Sequence, residues 1–155
     1  APTAMRSKNM NGSGWSMTEH LPTIRLGVDA AMATLIWLVQ LVIYPAFRFI
    51  EADRFIAWHH KYTRAIAYVV LPLMIAQAAC IGWLCLIRAS VGNVTSAGAV
   101  LAAWIVTFTL SVPCHHKLQQ QGKDPQIINQ LVRTNWLRTL AWNIALLAGA
   151  LSLRS

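Results

Sequence analysis

The sequence is poor in charged residues, and acidic side chains are especially scarce. Only 12% of its 155 residues are charged, with five Asp and Glu against thirteen Lys and Arg. An ordinary soluble domain contains about 25% charged residues. Hydrophobic residues make up 56% of the chain and come in long blocks rather than amphipathic stripes. This composition excludes an ordinary soluble domain and predicts a single-domain integral membrane protein.

Two further shortages exclude particular kinds of site. A carboxylate-rich di-iron centre needs several glutamates, whereas Glu19 and Glu51 are the two that this chain has. The three cysteines, Cys80, Cys85 and Cys114, form no CxxC pattern and are interpreted as small buried hydrophobic residues. The sequence therefore predicts neither a disulfide framework nor a carboxylate-rich di-iron site.

The formal net charge of +8 does not indicate nucleic-acid binding. The basic residues sit in short loops between apolar blocks, where membrane orientation and anionic lipid head groups explain them. The expected partners are therefore the lipid bilayer and a lipophilic small molecule, with no nucleic acid. A homo-oligomer or a larger membrane complex is a further possible assembly.

Four apolar blocks are long enough to cross a bilayer at 1.5 Å per residue. Residues 1–20 are polar and are interpreted as a disordered N-terminal tail or an expression remnant. Residues 21–155 form the predicted transmembrane domain. The expected fold is an all-α integral membrane protein, a four-transmembrane-helix bundle with short interfacial amphipathic helices. Its predicted spans are residues 24–46, 62–87, 97–112 and 135–153.

The connections between the spans contain helix signals of their own. Residues 47–60 follow an expected helix break at Pro45 and read as a short amphipathic helix at the membrane interface. Gly122 permits a turn, Asp124 is a good N-cap and Pro125 suits a first helical position. These three residues predict a helix that continues into the fourth span.

The distribution of positive charge predicts an orientation in the membrane. Eight of the thirteen Lys and Arg residues lie on the side of the first and third loops, and five lie on the other side. Positive residues are enriched on the cytoplasmic side of membrane proteins. We therefore expect a bacterial inner-membrane protein with both termini outside and with the first and third loops in the cytoplasm.

Two histidine pairs stand at the boundaries of the predicted spans. His59 and His60 precede the second span, and His115 and His116 follow the third. Counting the spans places both pairs on the same side of the membrane, whichever side that is. Ionisable side chains at membrane depth are costly and mark functional sites. The sequence therefore predicts a histidine-rich site at the membrane face of the first and third loops.

Three chemistries fit this set of residues. Neutral imidazoles ligate iron, copper or zinc, and Glu51 shares a helical face with His59 and could complete a metal site. Two histidines from different helices, such as His59 and His115, could ligate a haem axially. In the third option no cofactor is bound, and a histidine is the general base near neutral pH. Arg138 and Asn135 would then stabilise an anionic oxygen.

These alternatives assign several roles to a small set of residues. His115 is the candidate catalytic residue and, with His59, the candidate cofactor ligand. Arg138, Asn135 and Tyr62 would position the substrate. The candidate metal ligands are His59, His60, His115, His116 and Glu51. The predicted function is a membrane-embedded oxidoreductase or cofactor-binding protein that acts on a lipophilic substrate.

A structural role for the same residues is the competing interpretation. Histidine, lysine, tyrosine and tryptophan anchor helices at membrane interfaces. Adjacent helical residues point about 100° apart, so one histidine of each pair at most faces a given centre easily. In this interpretation the chain is a non-enzymatic structural subunit of a larger membrane complex.

Two stretches near the C-terminus also carry a family resemblance. Residues 112–118 read Val-Pro-Cys-His-His-Lys-Leu, and residues 135–139 read Asn-Trp-Leu-Arg-Thr. Over about the last 45 residues the chain resembles small four-helix membrane proteins of the anthrone-oxygenase-like family. Asn135 and Arg138 match the family motif, whereas His115 replaces the family's asparagine. The resemblance implies an oxygenase acting on a lipophilic aromatic substrate, and His115 departs from that family's chemistry and could add a metal.

Overall fold

Every regular element of the described chain is helical. A computed structural model describes residues 17–153 and contains no β-strand within them. The helices are α1 (Met17–Leu38), α2 (Tyr44–Ala46), α3 (Ala52–Ile87), α4 (Val91–Val106), α5 (Val112–Gln121) and α6 (Pro125–Ser152). The predicted all-α class is confirmed for this part of the chain, and residues 1–16 of the predicted tail lie outside the described residues.

Short irregular turns join some of these helices without a loop. π-helical turns at Val39–Ile43 and Thr107–Ser111 link α1 to α2 and α4 to α5, and a 3-10 turn at Phe47–Phe49 extends α2. The chain therefore forms four long helical segments. They cover residues 17–49, 52–87, 91–121 and 125–152.

Three of the four segments are long and apolar enough to cross a membrane, namely Glu19–Phe49, Ala52–Ile87 and Val91–Gln121. Large hydrophobic side chains are exposed on their outer faces, among them Leu86 and Tyr68. The fourth segment, α6, has 28 residues and is about 42 Å long at 1.5 Å per residue. The predicted membrane character is therefore supported for three segments, and a crossing by α6 belongs to the proposal made below.

The helices extend beyond the predicted spans at their polar ends. α3 begins at Ala52 and runs without interruption to Ile87, so residues 52–60 are not a separate interfacial helix. That prediction is wrong because no helix-breaking residue divides the amphipathic turns from the apolar ones. The expected break at Pro45 is also wrong, because the π turn at Val39–Ile43 precedes Pro45 and the helical segment continues through it to Phe49. The first segment ends instead at Phe49, and the backbone of the next residue, Ile50, is extended.

The turn before α6 has the predicted construction. Gly122 adopts a positive φ of 83°, which a residue without a Cβ tolerates. The carboxylate of Asp124 accepts hydrogen bonds from the backbone N–H groups of Gln126 at 2.7 Å and Ile127 at 3.3 Å. Pro125 occupies the first position of α6. These interactions cap α6, which then continues without a break to Ser152.

The main hydrophobic core lies between all four segments. Its largest fully buried side chains include Phe47, Phe55, Trp142 and Leu131. A smaller apolar cluster forms around Ile81 and joins α3, α4 and α6. The main core surrounds a set of polar side chains, and these form the candidate site.

Candidate functional site

His59 of α3 and His115 of α5 meet inside the bundle. Nε2 of His59 lies 3.0 Å from Nδ1 of His115, and the two rings stack with their centroids 5.2 Å apart. His59 is completely buried and His115 is half-buried. The structure therefore brings together one member of each histidine pair. The other members, His60 and His116, are exposed, as the 100° rotation between neighbouring helical residues leads one to expect.

The histidine pair continues into Tyr44 and Arg138. Nε2 of His115 lies 3.1 Å from the hydroxyl oxygen of Tyr44. Nη1 of Arg138 donates hydrogen bonds to this hydroxyl at 3.3 Å and to the hydroxyl of Ser111 at 3.1 Å. His59, His115, Tyr44 and Arg138 are called the His–Tyr–Arg network below. Each of the four helical segments contributes one of its members.

The two π turns place side chains of this network. Pro45 and Pro113 lack the N–H group that would continue an α-helical hydrogen-bond ladder. A π turn ends directly before Tyr44, and another ends at Ser111, two residues before Pro113. Single π turns within α-helices are frequent at functional sites. Here they bring Tyr44 and Ser111 within hydrogen-bonding distance of the same nitrogen atom of Arg138.

Phe47 is the centre of an aromatic cluster that encloses the two imidazoles. Its ring is fully buried and lies edge-on to His59, His115 and Tyr62, with centroid distances of 5.4, 6.2 and 5.1 Å. The cluster excludes water from one side of the network and fixes the orientation of its rings. Phe47 was not predicted from the sequence, because the helix was expected to break at Pro45 and so to separate Phe47 from Tyr44. The spacing of three residues between Tyr44 and Phe47 is the signal that places both on one helical face.

A cavity of about 270 Å³ borders the network. Tyr44, His115 and Arg138 form part of its wall, together with Tyr62 and Ser111. The remaining wall is mostly apolar and consists of Val39, Ile66, Ala67, Val70, Leu71, Met74, Thr107, Phe108 and Val112. An apolar cavity with a few convergent polar groups is the usual form of a small-molecule site. This space is called the site cavity below.

Two other predicted site residues take different positions. Asn135 is buried, but its amide donates to the side-chain oxygen of Gln40 at 2.8 Å and so joins α6 to the first segment. Glu51 is exposed and lies 3.6 Å from Arg54. The expected approach of Glu51 to His59 is therefore absent, because the carboxylate points to the surface.

The donor set does not match a metal centre of the predicted kind. Among residues 17–153 there is no group of three or more His, Cys, Asp or Glu side chains able to hold a metal ion. An axial haem iron needs about 4 Å between the two ligating nitrogens, twice a metal–imidazole bond of about 2 Å. The facing nitrogens of His59 and His115 are 3.0 Å apart, and the other nitrogen of His115 contacts Tyr44. The structure thus brings together two of the five predicted metal ligands, His59 and His115.

A second buried polar cluster lies around Arg25. Its Nε is 2.8 Å from a carboxylate oxygen of Asp29, and it also donates a hydrogen bond to Ser96. Gln77 donates to Asp29 at 2.7 Å and accepts from the indole of Trp142 at 3.0 Å. The buried acid has a positively charged partner here. A buried carboxylate that is paired and hydrogen-bonded in this way has a structural role in the bundle.

Fold and site together define an all-helical protein in which a buried His–Tyr–Arg network borders an apolar cavity. No family model, curated protein or solved structure matches the chain. The resemblance to the anthrone-oxygenase-like family therefore stays a prediction. The proposals below follow from the geometry of the site.

Proposed function

We propose that this protein crosses the bilayer with all four helical segments and binds a lipophilic small molecule in the site cavity. We further propose that it acts on this molecule as an oxidoreductase or holds it as a cofactor. The observation that carries the proposal is the apolar cavity of about 270 Å³ with Tyr44, His115 and Arg138 in one wall. Such a wall fixes the polar end of a ligand while the apolar surfaces hold its body.

The pattern of exposure along α6 supports a fourth crossing. Asn135, Arg138 and Thr139 are buried against the other segments. Polar side chains in membrane-spanning helices face the bundle interior in the same way. The opposite face of α6 exposes Leu137, Leu140, Ile144, Leu147 and Leu151. This apolar stripe fits a surface that contacts lipid.

His115 is the proposed proton-transfer residue. It lines the cavity, and its two ring nitrogens contact His59 and Tyr44. Since both nitrogens are engaged, a proton would pass between His115 and a substrate through the hydroxyl of Tyr44, which also lines the cavity. Oxidation and reduction of phenols, quinones and ketones all require a proton to move at the substrate oxygen. Arg138 and Tyr62 would position this oxygen at the polar wall.

Extraction of the bound molecule tests the proposal. Protein purified in a mild detergent would be extracted with organic solvent, and the extract would be analysed by mass spectrometry. Ala67 lines the cavity, so Ala67→Phe fills part of it. The matched control is Ala65→Phe on the same helix, because Ala65 is exposed. We expect one compound to be retained by the wild type and the control and lost from Ala67→Phe; equal retention by both variants would contradict the proposal.

An absorption spectrum and elemental analysis of the same preparation test the cofactor part. Stoichiometric iron or copper, or a Soret band from haem, would show that a metal accompanies the histidines. That result would overturn the proposal that His115 transfers protons without a metal. Retention of the metal by both His115→Ala and His59→Ala would in turn remove these histidines from its ligands.

A further inference from the structure

Arg138 is a buried cation without an acidic partner among the described residues. Its side chain is 6% exposed and forms part of the cavity wall. No carboxylate oxygen of residues 17–153 lies within 4.0 Å of its guanidinium nitrogens. A charge taken out of water is costly unless a charge of opposite sign compensates it.

The acids of the chain are too distant or already engaged. All five acidic residues of the sequence belong to the described part. Asp29 pairs with Arg25, and Asp124 caps α6. The other three are Glu19, Glu51 and Asp53, which are exposed at the surface. A counter-charge for Arg138 must therefore come from outside this part of the chain.

The other buried arginine among residues 17–153 provides an internal comparison. Arg25 is as deeply buried as Arg138, and the fold supplies the carboxylate of Asp29 at 2.8 Å. Around Arg138 the described partners are neutral: the hydroxyls of Tyr44 and Ser111 and the face of Trp142, whose ring centroid lies 5.0 Å from the guanidinium carbon. Nε is buried without a geometrically satisfactory hydrogen bond in both arginines, so the difference between them is the nearby carboxylate that Arg25 has and Arg138 lacks.

We propose that the ligand of the site cavity is a lipophilic carboxylate and that Arg138 binds its carboxylate group. This inference rests on the proposed function and specifies its ligand. A guanidinium presents planar, paired N–H donors that match a carboxylate, and it binds this group more strongly than a neutral oxygen. The apolar wall around Met74 and Phe108 then holds the uncharged body of the molecule.

Matched pairs of probes separate the charge of the ligand from its shape. Binding to the purified protein in a non-ionic detergent would be measured by equilibrium dialysis for a rigid pair, 2-naphthoate and 2-naphthylmethanol, and a flexible pair, decanoate and decanol. We expect the wild type to bind at least one carboxylate about tenfold or more tightly than its matched alcohol.

Three variants assign this preference to one residue. Arg138→Gln is expected to lose the preference for the carboxylate. Arg133→Gln is the matched control, because Arg133 is exposed on the same helix, and it is expected to keep the wild-type preference. Arg138→Lys retains the charge without the planar donors, so part of the preference should survive. If Arg138→Gln does not fold, the lysine variant and the wild-type probe pairs decide the question.

The outcomes separate this inference from the proposed function. Equal binding of carboxylate and alcohol in both pairs would overturn the inference and leave a neutral lipophilic ligand for the cavity. Binding of none of the four probes would count against the inference and the proposed function together. An equal loss of preference in Arg133→Gln and Arg138→Gln would show that general surface charge, and not the cavity wall, selects the anion.

Discussion

Nε2 of His59 and Nδ1 of His115 lie 3.0 Å apart inside the protein, although 56 residues separate them in the sequence. Arginine only donates hydrogen bonds, so the hydroxyl oxygen of Tyr44 accepts from Arg138 and its hydrogen is free to point at His115. His115 can then donate through Nδ1 to His59. Arg138, Tyr44 and His115 thus donate in the same direction, and Nε2 of His59 accepts at the end of this series. Because arginine keeps its protons, a proton can shift between Tyr44, His115 and His59 only.

The first prediction concerns the central histidine. His115→Ala removes the partner of His59 and of the Tyr44 hydroxyl, so we expect the unfolding free energy to fall by about 1–3 kcal/mol and the bound molecule to be lost. His116→Ala is the control, since His116 is the exposed neighbour on the same helix. Unfolding in mixed detergent micelles and extraction of the ligand would measure both effects. Equal damage from the two variants would rule out a special role for His115.

The second prediction isolates one hydroxyl group. Tyr44→Phe leaves the ring in place but removes the oxygen that joins His115 to Arg138. We expect a loss of about 1–3 kcal/mol in unfolding free energy, because buried partners lose a hydrogen bond. Tyr68→Phe should change almost nothing, as Tyr68 is 75% exposed. An undiminished stability of Tyr44→Phe, measured in the same micelles, would show that the contacts of this hydroxyl are unimportant.

The third prediction concerns the buried ion pair. Asp29→Asn leaves Arg25 charged and without its carboxylate, and breaking a buried pair in this way costs about 3–5 kcal/mol. The double variant Arg25→Met/Asp29→Leu removes both charges and should recover much of the loss. Glu51→Gln breaks an exposed pair and should have little effect. A double variant no more stable than Asp29→Asn would contradict this explanation.

The fourth prediction concerns topology. The three native cysteines would first be replaced by alanine. Single cysteines would then be introduced at Glu51, Ala89 and Gln121, because these three positions are exposed near helix ends. A membrane-impermeant maleimide added to intact cells should label Ala89→Cys, whereas Glu51→Cys and Gln121→Cys should react after lysis. Labelling of Ala89→Cys and Gln121→Cys from the same side would refute a crossing by the third segment. A simple exchange of sides would refute the orientation alone.

Local signals were sufficient to predict part of the architecture from the sequence. The turn at Gly122, the cap at Asp124 and the helix start at Pro125 depend on neighbouring residues, so the sequence predicts them well. The order of apolar blocks along the chain predicts that His59 and His115 lie at the same end of the bundle, and this does not depend on the exact helix ends. Their contact at 3.0 Å depends on packing.

Features that depend on packing could not be predicted. An interfacial helix and the polar end of a spanning helix have the same composition, so the sequence does not distinguish them. In the structure α3 is continuous, and Phe55 and His59 near its start are buried against Phe47. The two π turns have no clear local signature beyond the prolines that follow them. The site cavity and the unpaired charge of Arg138 depend on the relative positions of side chains from all four segments.

Photo-crosslinking in native membranes would test the central claim most directly. A photoreactive decanoate analogue would be irradiated with the protein, and the modified peptides would be mapped by mass spectrometry. We expect modification to concentrate on the walls of the site cavity, within residues 62–74 and 107–115, to be suppressed by excess decanoate and to disappear in Ala67→Phe. Modification spread over the lipid-facing surfaces of the helices and unaffected by decanoate would contradict a binding site beside His115 and Arg138.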